Sequence, residues 1–390
     1  MEMVSPISNL TFKVKRCDPE LIVPAKPTPH EVKKLSDVDN QKGLRLQTYA
    51  IWFYKKSDSP SMEGKDPVKV IKEALGRALV YYYPLAGRLK EDSNGKLMVD
   101  CNAQGVSFVE ADADVKLEQL GHTIQPPFPF LQEVLYHIPG SDRTLDGPLW
   151  LVQVTRLRCG GFIVATRKNH MLVDAFGVAQ FMNAVGEMAR GAQHPSVMPV
   201  WHRELLDGRK PPRVTRIHHE YQQDINDAKL DIDLTNLVHL SFVFGPDQIK
   251  AIRKHLPPHL ATCSRFELIT ACIWKCRTLA LNLDPEEVVQ VTCAINGRGK
   301  NFGLNLPSGY YGNVVFFLNA FSKAGVLCKN PLGYALELLK KARSEMSEEH
   351  IRSAIDFIAT KQPPNYKIKG NFIVSDVTKV GFREVDFGWG

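Results

Sequence analysis

His170 and Asp174 stand four residues apart in the stretch His170-Met171-Leu172-Val173-Asp174. An imidazole can take a proton from an attacking hydroxyl near neutral pH and return it to a leaving group. A carboxylate one helical turn on can organise the turn beneath it. The spacing alone is weak evidence: with 12 His and 42 acidic residues in the chain, about one such pair arises by chance. His170 is the only histidine with an acid at that spacing, so its context must decide between a proton-transfer role and an ordinary hydrogen-bonded residue at a strand end.

That context is a hairpin followed by a helix. Leu151 to Leu157 alternates like a half-buried strand, Cys159-Gly160-Gly161 reads as a tight turn, and Phe162 to Thr166 is a second apolar run. Downstream, Val178, Phe181, Met182, Val185, Met188 and Ala189 recur at helical spacing, and Gly191 sits where a left-handed cap would end the helix. His170 therefore falls where the second strand ends, and Gly177 keeps the following turn uncluttered.

The other chemistry-bearing patterns are weaker. Asp386-Phe387-Gly388 lacks the glycine-rich loop, lysine-bearing strand and catalytic loop of a kinase. His255 and His259 have metal-ligand spacing, but Pro257 and Pro258 between them break the helix that would align them. His218-His219-Glu220 lies in a charged stretch and reads as surface. Gly297-Arg298-Gly299 lacks a dinucleotide fingerprint, and no serine elbow is present. Eight scattered cysteines without CxxC pairs fit reduced structural thiols, Cys272 and Cys276 included.

A chain of 390 residues suggests two domains. With 44% hydrophobic and 23% charged residues it is an ordinary globular composition, and its net charge of +7 is spread along the chain. No nucleic-acid motif and no membrane-length apolar run is present, and Met1 to Pro6 does not resemble a signal peptide. The expectation is a cytoplasmic protein. The mild positive charge suits a polyanionic small molecule such as a nucleotide-bearing cofactor.

Asp66-Pro67 opens an amphipathic helix through Leu79, which Pro84 and Gly87 terminate. Asn94-Gly95 marks a hairpin joining strands near Leu89 and at Leu97 to Val99, with a further strand at Val106 to Val109. Residues 191–234 lose periodicity and read as a crossover between an N-terminal lobe (1–190) and a C-terminal lobe (235–390). The second lobe shows strands at Val238 to Phe244, Val288 to Ile295 and Tyr311 to Leu318. Its helices follow a Ser264–Glu267 capping box and Asn330-Pro331. Helices and strands mix in both halves, which gives an α/β or α+β class.

Taken in order, Leu35-Ser36-Asp37-Val38-Asp39, Tyr83-Pro84-Leu85-Ala86-Gly87-Arg88, His170-x-x-x-Asp174, Gly309-Tyr310-Tyr311-Gly312-Asn313 and Asp386-Phe387-Gly388-Trp389-Gly390 resemble the plant BAHD acyl-CoA-dependent acyltransferases. The resemblance runs along essentially the whole chain and is nearest to the alcohol acyltransferase and benzyl alcohol O-benzoyltransferase group. It implies a mixed α/β fold of two chloramphenicol-acetyltransferase-like domains with a channel between them and His170 at its centre. It implies His170 as general base for ester formation from acyl-CoA, a co-substrate, and a small alcohol, with no permanently bound cofactor or metal. Asp174 is then a support paired with an arginine of the second domain, for which Arg298 is the candidate, and Gly177 and Trp389 also support the site. Asp386 is structural or a second proton acceptor. Gly309, Tyr311, Gly312 and Asn313 line the channel, and the protein is a monomer.

Two departures follow from the same comparison. Met171 and Val173 replace the usual threonine and small residue, which points to an altered acceptor pocket, and the chain stops at Gly390 where family members continue. The alternatives are a non-catalytic or inactive truncated member, and an acyltransferase acting on an amine or a complex specialised metabolite.

Overall fold

The computed structural model describes residues 10–57, 60, 62–121, 124, 126, 128–137, 145–221, 240–299, 302–361 and 371–390. The chain forms two compact units that do not follow chain order. Among the described residues, the first comprises 10–207, Leu306–Asn313 and Thr378–Gly390, and the second comprises Gly208–Asn305 and Val314–Val377. The division thus differs from a cut into N- and C-terminal lobes. The Gly309–Asn313 and Asp386–Gly390 motifs, expected in the second lobe, pack with His170 in the first unit, because their backbones satisfy buried groups there.

In the first unit, short strands β1 (Val14–Arg16), β2 (Glu20–Ile22) and β3 (Val32–Lys34) lead into β4 (Gln47–Tyr54). Helix α1 (Pro67–Tyr81) follows, with the Asp66 side chain accepting from Val68 N and proline in its first turn, as its sequence predicts. Its apolar stripe of Val68, Ile71, Ala74, Leu75, Ala78 and Leu79 is buried. Then come β5 (Arg88–Glu91), β6 (Leu97–Asp100), β7 (Val106–Ala113), a single turn α2 (Leu131–Val134), β8 (Trp150–Leu157), β9 (Phe162–Asn169) and α3 (Ala175–Ala189). The main sheet runs β1-β7-β8-β9-β4 with β2 also on β7, and β3-β6-β5 form a second sheet. Only β7 and β8 pair in parallel there; β8 and β9 are the predicted hairpin, in register Leu151↔Arg167 to Arg156↔Phe162. β9 extends to Asn169, three residues past the predicted end, because its backbone also pairs with β4 from Phe162 to Asn169. The next residue is His170.

The second unit carries α4 (Pro246–Arg253), α5 (Arg265–Leu281), β10 (Val288–Asn296), β11 (Val315–Lys323), α6 (Ala324–Lys329), α7 (Leu332–Ser344), α8 (Glu348–Lys361) and β12 (Ile373–Val374). Its sheet is β11-β10-β12, and Trp274, Leu268, Val291 and Leu336 lie in its core. The Ser264–Glu267 capping box forms in full at the start of α5. Two expectations fail here. Residues 240–244 of the supposed strand from Val238 form no strand beyond a single bridge at Phe242, and Leu240, Phe242 and Val243 are exposed. The strand expected from Tyr311 begins at Val315, because Gly312 and Asn313 are held by the site below. All eight cysteines are free, and burial, with Cys276 beside it, pushes the Cys272 thiol up to about 11.

Candidate active site

His170 is placed by main-chain pairing rather than by its own side chain. Asn169 N donates to Leu149 O (3.1 Å) and His170 N to Leu46 O (2.9 Å), so two other chain segments hold the end of β9. Asp174 then caps α3, its Oδ1 accepting from Gly177 N at 3.0 Å. Gly177 is required by packing: a Cβ there would lie 2.1 Å from Tyr311 O. The bulk expected near the base goes elsewhere. Met171 and Val173 are 0% and 1% exposed and pack in the first unit's core, so no altered acceptor pocket follows from their side chains.

Among the described residues the imidazole bonds one polar side chain. Its Nδ1 lies 3.2 Å from Asn313 Oδ1. The Asn313 amide nitrogen donates to Asp39 Oδ1 (2.8 Å), His170 O (2.9 Å) and Met171 O (3.0 Å), all of them groups that only accept. That settles which end of the amide faces the ring: the NH2 points at the three oxygens and the carbonyl oxygen at His170. A carbonyl cannot donate, so Nδ1 carries the proton. Nε2 is left with its lone pair, the form a general base needs.

Burial holds the His170 pKa below its usual range, and the Lys168 cation acts in the same direction. Its own backbone carbonyl, Asp174 and Asn313 oppose that shift without cancelling it. Lys168, two residues back on β9, is itself pushed down to about 8 by burial. These surroundings therefore favour the neutral ring. Among the described residues no serine or cysteine side chain bonds to it, so the arrangement suits direct transfer rather than an acyl-enzyme.

Behind Asn313 stands a closed ion pair. Asp39 Oδ1 also accepts from Asn313 N (3.1 Å), while Oδ2 accepts from Ser36 N (3.2 Å) and Ser36 Oγ (2.7 Å). Arg203 Nη1 lies 3.1 and 3.0 Å from the two carboxylate oxygens, and its Nη2 donates to Leu172 O at 2.8 Å. The side chains of Arg203 and Asp39 are 2% and 0% exposed. The guanidinium lies 4.3 Å from the Trp201 ring centroid and 5.1 Å from that of Tyr311. Burial works against this cation, but Asp39, Tyr310 and Tyr311 outweigh it and raise its pKa. Gly312 is the second glycine fixed by close approach, since a Cβ would stand 1.9 Å from Arg203 Nη1. Sequence reasoning missed Arg203 altogether. It sits in the proline-rich crossover, and its only local signal is Trp201 two residues earlier.

The remaining predicted residues have these places. Tyr311 is 2% exposed against Tyr82 and Trp201, so its ring belongs to the wall behind the base rather than to an open channel surface. Gly309 O accepts from Val200 N and from Gln180 Nε2 (both 2.9 Å). Asp386 Oδ1 accepts from Gly388 N (2.7 Å) and Gly390 N (3.0 Å), and Arg190 bonds its main-chain oxygen. Among the described residues no hydrogen bond joins Asp386 to His170. Trp389 packs edge-on against Phe162 with centroids 5.2 Å apart. Arg298 belongs to the second unit, where its N donates to Asn296 Oδ1 at 3.0 Å.

One sequence expectation is reversed. His218 and Glu220 are each 2% exposed rather than at the surface, and with His350 their potential ligand atoms lie within 4.8 Å of one another. Ser353 Oγ already accepts from Thr215 N and Arg216 N (3.0 Å each), so its hydroxyl proton goes to His218 Nε2 at 2.9 Å. His218 Nδ1 must then hold a proton, which it donates to Glu220 Oε1 at 3.1 Å. No lone pair is left on this ring for a cation. The cluster pins the crossover to α8.

A mixed α/β protein with a buried histidine held against an asparagine amide is what fold and site define. The sequence pattern of the Transferase family matches residues 12–390. Benzyl alcohol O-benzoyltransferase of Petunia hybrida is 56% identical over 383 residues, which is 98% of this chain and 83% of that protein. Alcohol acyl transferase 1 (allele RGb) of Malus domestica is 56% identical over 390 residues, 98% of this chain and 85% of the other. Among solved structures, vinorine synthase superposes with a TM-score of 0.72 at 24% identity, covering 97% of this chain and 87% of that one. TRI101 of F. graminearum, complexed with ethyl coenzyme A, gives 0.66 at 17% identity, covering 93% and 87%; these two share the fold. The chain belongs to the Transferase family, the BAHD acyltransferases.

Proposed function

We propose that this acyltransferase moves an acyl group, aromatic or short, from coenzyme A thioester to a small alcohol. His170 Nε2 accepts the hydroxyl proton as the oxygen attacks the thioester carbonyl. The imidazolium then protonates the departing thiolate, so the proton and the acyl group both balance and no covalent enzyme intermediate forms. The observation that carries this reading is the Asn313 amide, whose orientation leaves Nε2 as the free base atom. The 56% identical benzyl alcohol and apple alcohol acyltransferases support the choice of donor and acceptor.

In this reading Asp174 holds the turn. Gly177, Gly309, Tyr311, Gly312 and Asn313 form the support behind the base, and Asp386 and Trp389 brace the closing loop. The enzyme acts as a monomer in the cytoplasm without a resident cofactor; no described helix is long and apolar enough to cross a membrane. The test is free-thiol release from benzoyl- and acetyl-CoA with benzyl alcohol, and the mass of the product. His170→Ala should abolish release. Turnover that survives it would remove the base, an amide product would change the acceptor class, and folded protein without turnover on any donor would favour a non-catalytic member.

A further inference from the structure

The Asp39–Arg203 pair has more contacts than holding a loop requires, and their direction matters. Asp39 is the acceptor that takes both the main-chain N–H and the side-chain N–H of Asn313. Arg203 meanwhile reaches Leu172 O, within the segment that joins His170 to Asp174. The pair therefore holds both neighbours of the base, the amide that faces its ring and the chain that follows it. We propose that Asp39 and Arg203 are positioning residues: through Asn313 they hold the His170 ring in the Nδ1–H tautomer, so that Nε2 remains the proton acceptor. This rests on the reading of His170 as the base and adds two residues that do not touch substrate.

The physical reason lies in what an amide can do when its partner changes. A carboxylate accepts and never donates, so Asn313 can only present NH2 to it. Asparagine at position 39 could present its own NH2, and Asn313 could then turn its oxygen toward it and its NH2 toward the ring. The ring nitrogen would become the acceptor, the proton would move to Nε2, and the base would lose its lone pair. Arg203 opposes this twice, by bonding both oxygens of Asp39 at 3.1 and 3.0 Å and by anchoring Leu172 O.

The experiment compares wild type with Asp39→Asn, Arg203→Lys and His170→Ala in thiol release at saturating and limiting alcohol. It also records imidazole 15N shifts, assigned to His170 by their loss in the His170→Ala protein. Loss of an outer partner typically costs about 10–100-fold. Folded Asp39→Asn and Arg203→Lys should therefore lose about 10–100-fold in kcat with KM within about 2-fold, and should show a mixed tautomer. Arg203→Lys retains the charge and should be the milder of the two. Wild-type kcat and an unchanged tautomer in either folded variant would overturn the proposal. If neither variant folds, the wild-type spectrum decides it: a ring protonated at Nε2 would overturn it, and one protonated at Nδ1 supports it. Activity surviving in His170→Ala would instead sink the underlying function.

Discussion

Gly312→Ala tests the buried ion pair with a single methyl group. Gly312 does not have a positive φ, so alanine meets no backbone strain and the whole effect is steric. The added Cβ would lie 1.9 Å from Arg203 Nη1, 2.6 Å from Cζ and 2.9 Å from the Tyr310 hydroxyl. Ordinary contact needs the guanidinium to retreat by about 1.5 Å. That movement breaks the 3.0 and 3.1 Å bonds to Asp39 and the 2.8 Å bond to Leu172 O. Separating a buried pair costs about 3–5 kcal/mol, because both charges stay out of water. For a unit of this size that is a fall of about 6–20 °C in the melting transition. The assay is calorimetry of Gly312→Ala, Arg203→Ala and the double variant. In the Arg203→Ala background the methyl group has room, so its further cost should drop below about 0.5 kcal/mol. A Gly312→Ala protein melting within about 1 °C of wild type, or an equal loss in both backgrounds, would refute the reasoning.

Three further outcomes follow from the same geometry. The competent form of His170 is deprotonated and its pKa is lowered, so kcat/KM should be full at neutral pH and fall only as pH drops below the ordinary histidine value of about 6.5. Lys168→Met removes a cation that favours the neutral ring and should move this acid limb upward; a limb above pH 7 in wild type, or no movement, would contradict the electrostatics. Gly177→Ala sets a Cβ 2.1 Å from Tyr311 O at the first turn of α3, and the resulting displacement of the base loop should cost about 100-fold in kcat, read by thiol release. Ser264→Ala removes the capping box of α5 and should cost about 0.5–2 kcal/mol in the second unit's melting transition, while the rate per folded molecule stays at wild type.

Much of the scaffold was legible because its signals are local. The hairpin of β8 and β9, the Asp66-Pro67 start of α1, the α5 capping box and the helix after Asp174 each depend on residues within a few positions of one another. The failures share one cause, namely partners distant in sequence. The apolar run at 240–244 looks like a strand, but with only a single bridge at Phe242 its backbone forms no ladder. Residues 311–314 look like a strand start, but Asn313 gives its N–H groups to Asp39, 274 positions away. His218-His219-Glu220 looks solvated, yet Ser353 and Asn319 complete the hydrogen bonds of His218 and Glu220 and allow their burial.

The sequence by itself determined the chemistry available to this protein: one histidine at a strand end, an aspartate to cap the helix after it, and ordered motifs that mark the family. Only the tertiary structure decided which nitrogen of that histidine faces the Asn313 amide oxygen. A tautomer is set by the direction of a neighbour's hydrogen bond, and that neighbour, Asn313, is itself oriented by Asp39 and Arg203 from opposite ends of the first unit's chain. Spacing along a sequence cannot encode such a direction, because it exists only once the three segments are packed together and shielded from water.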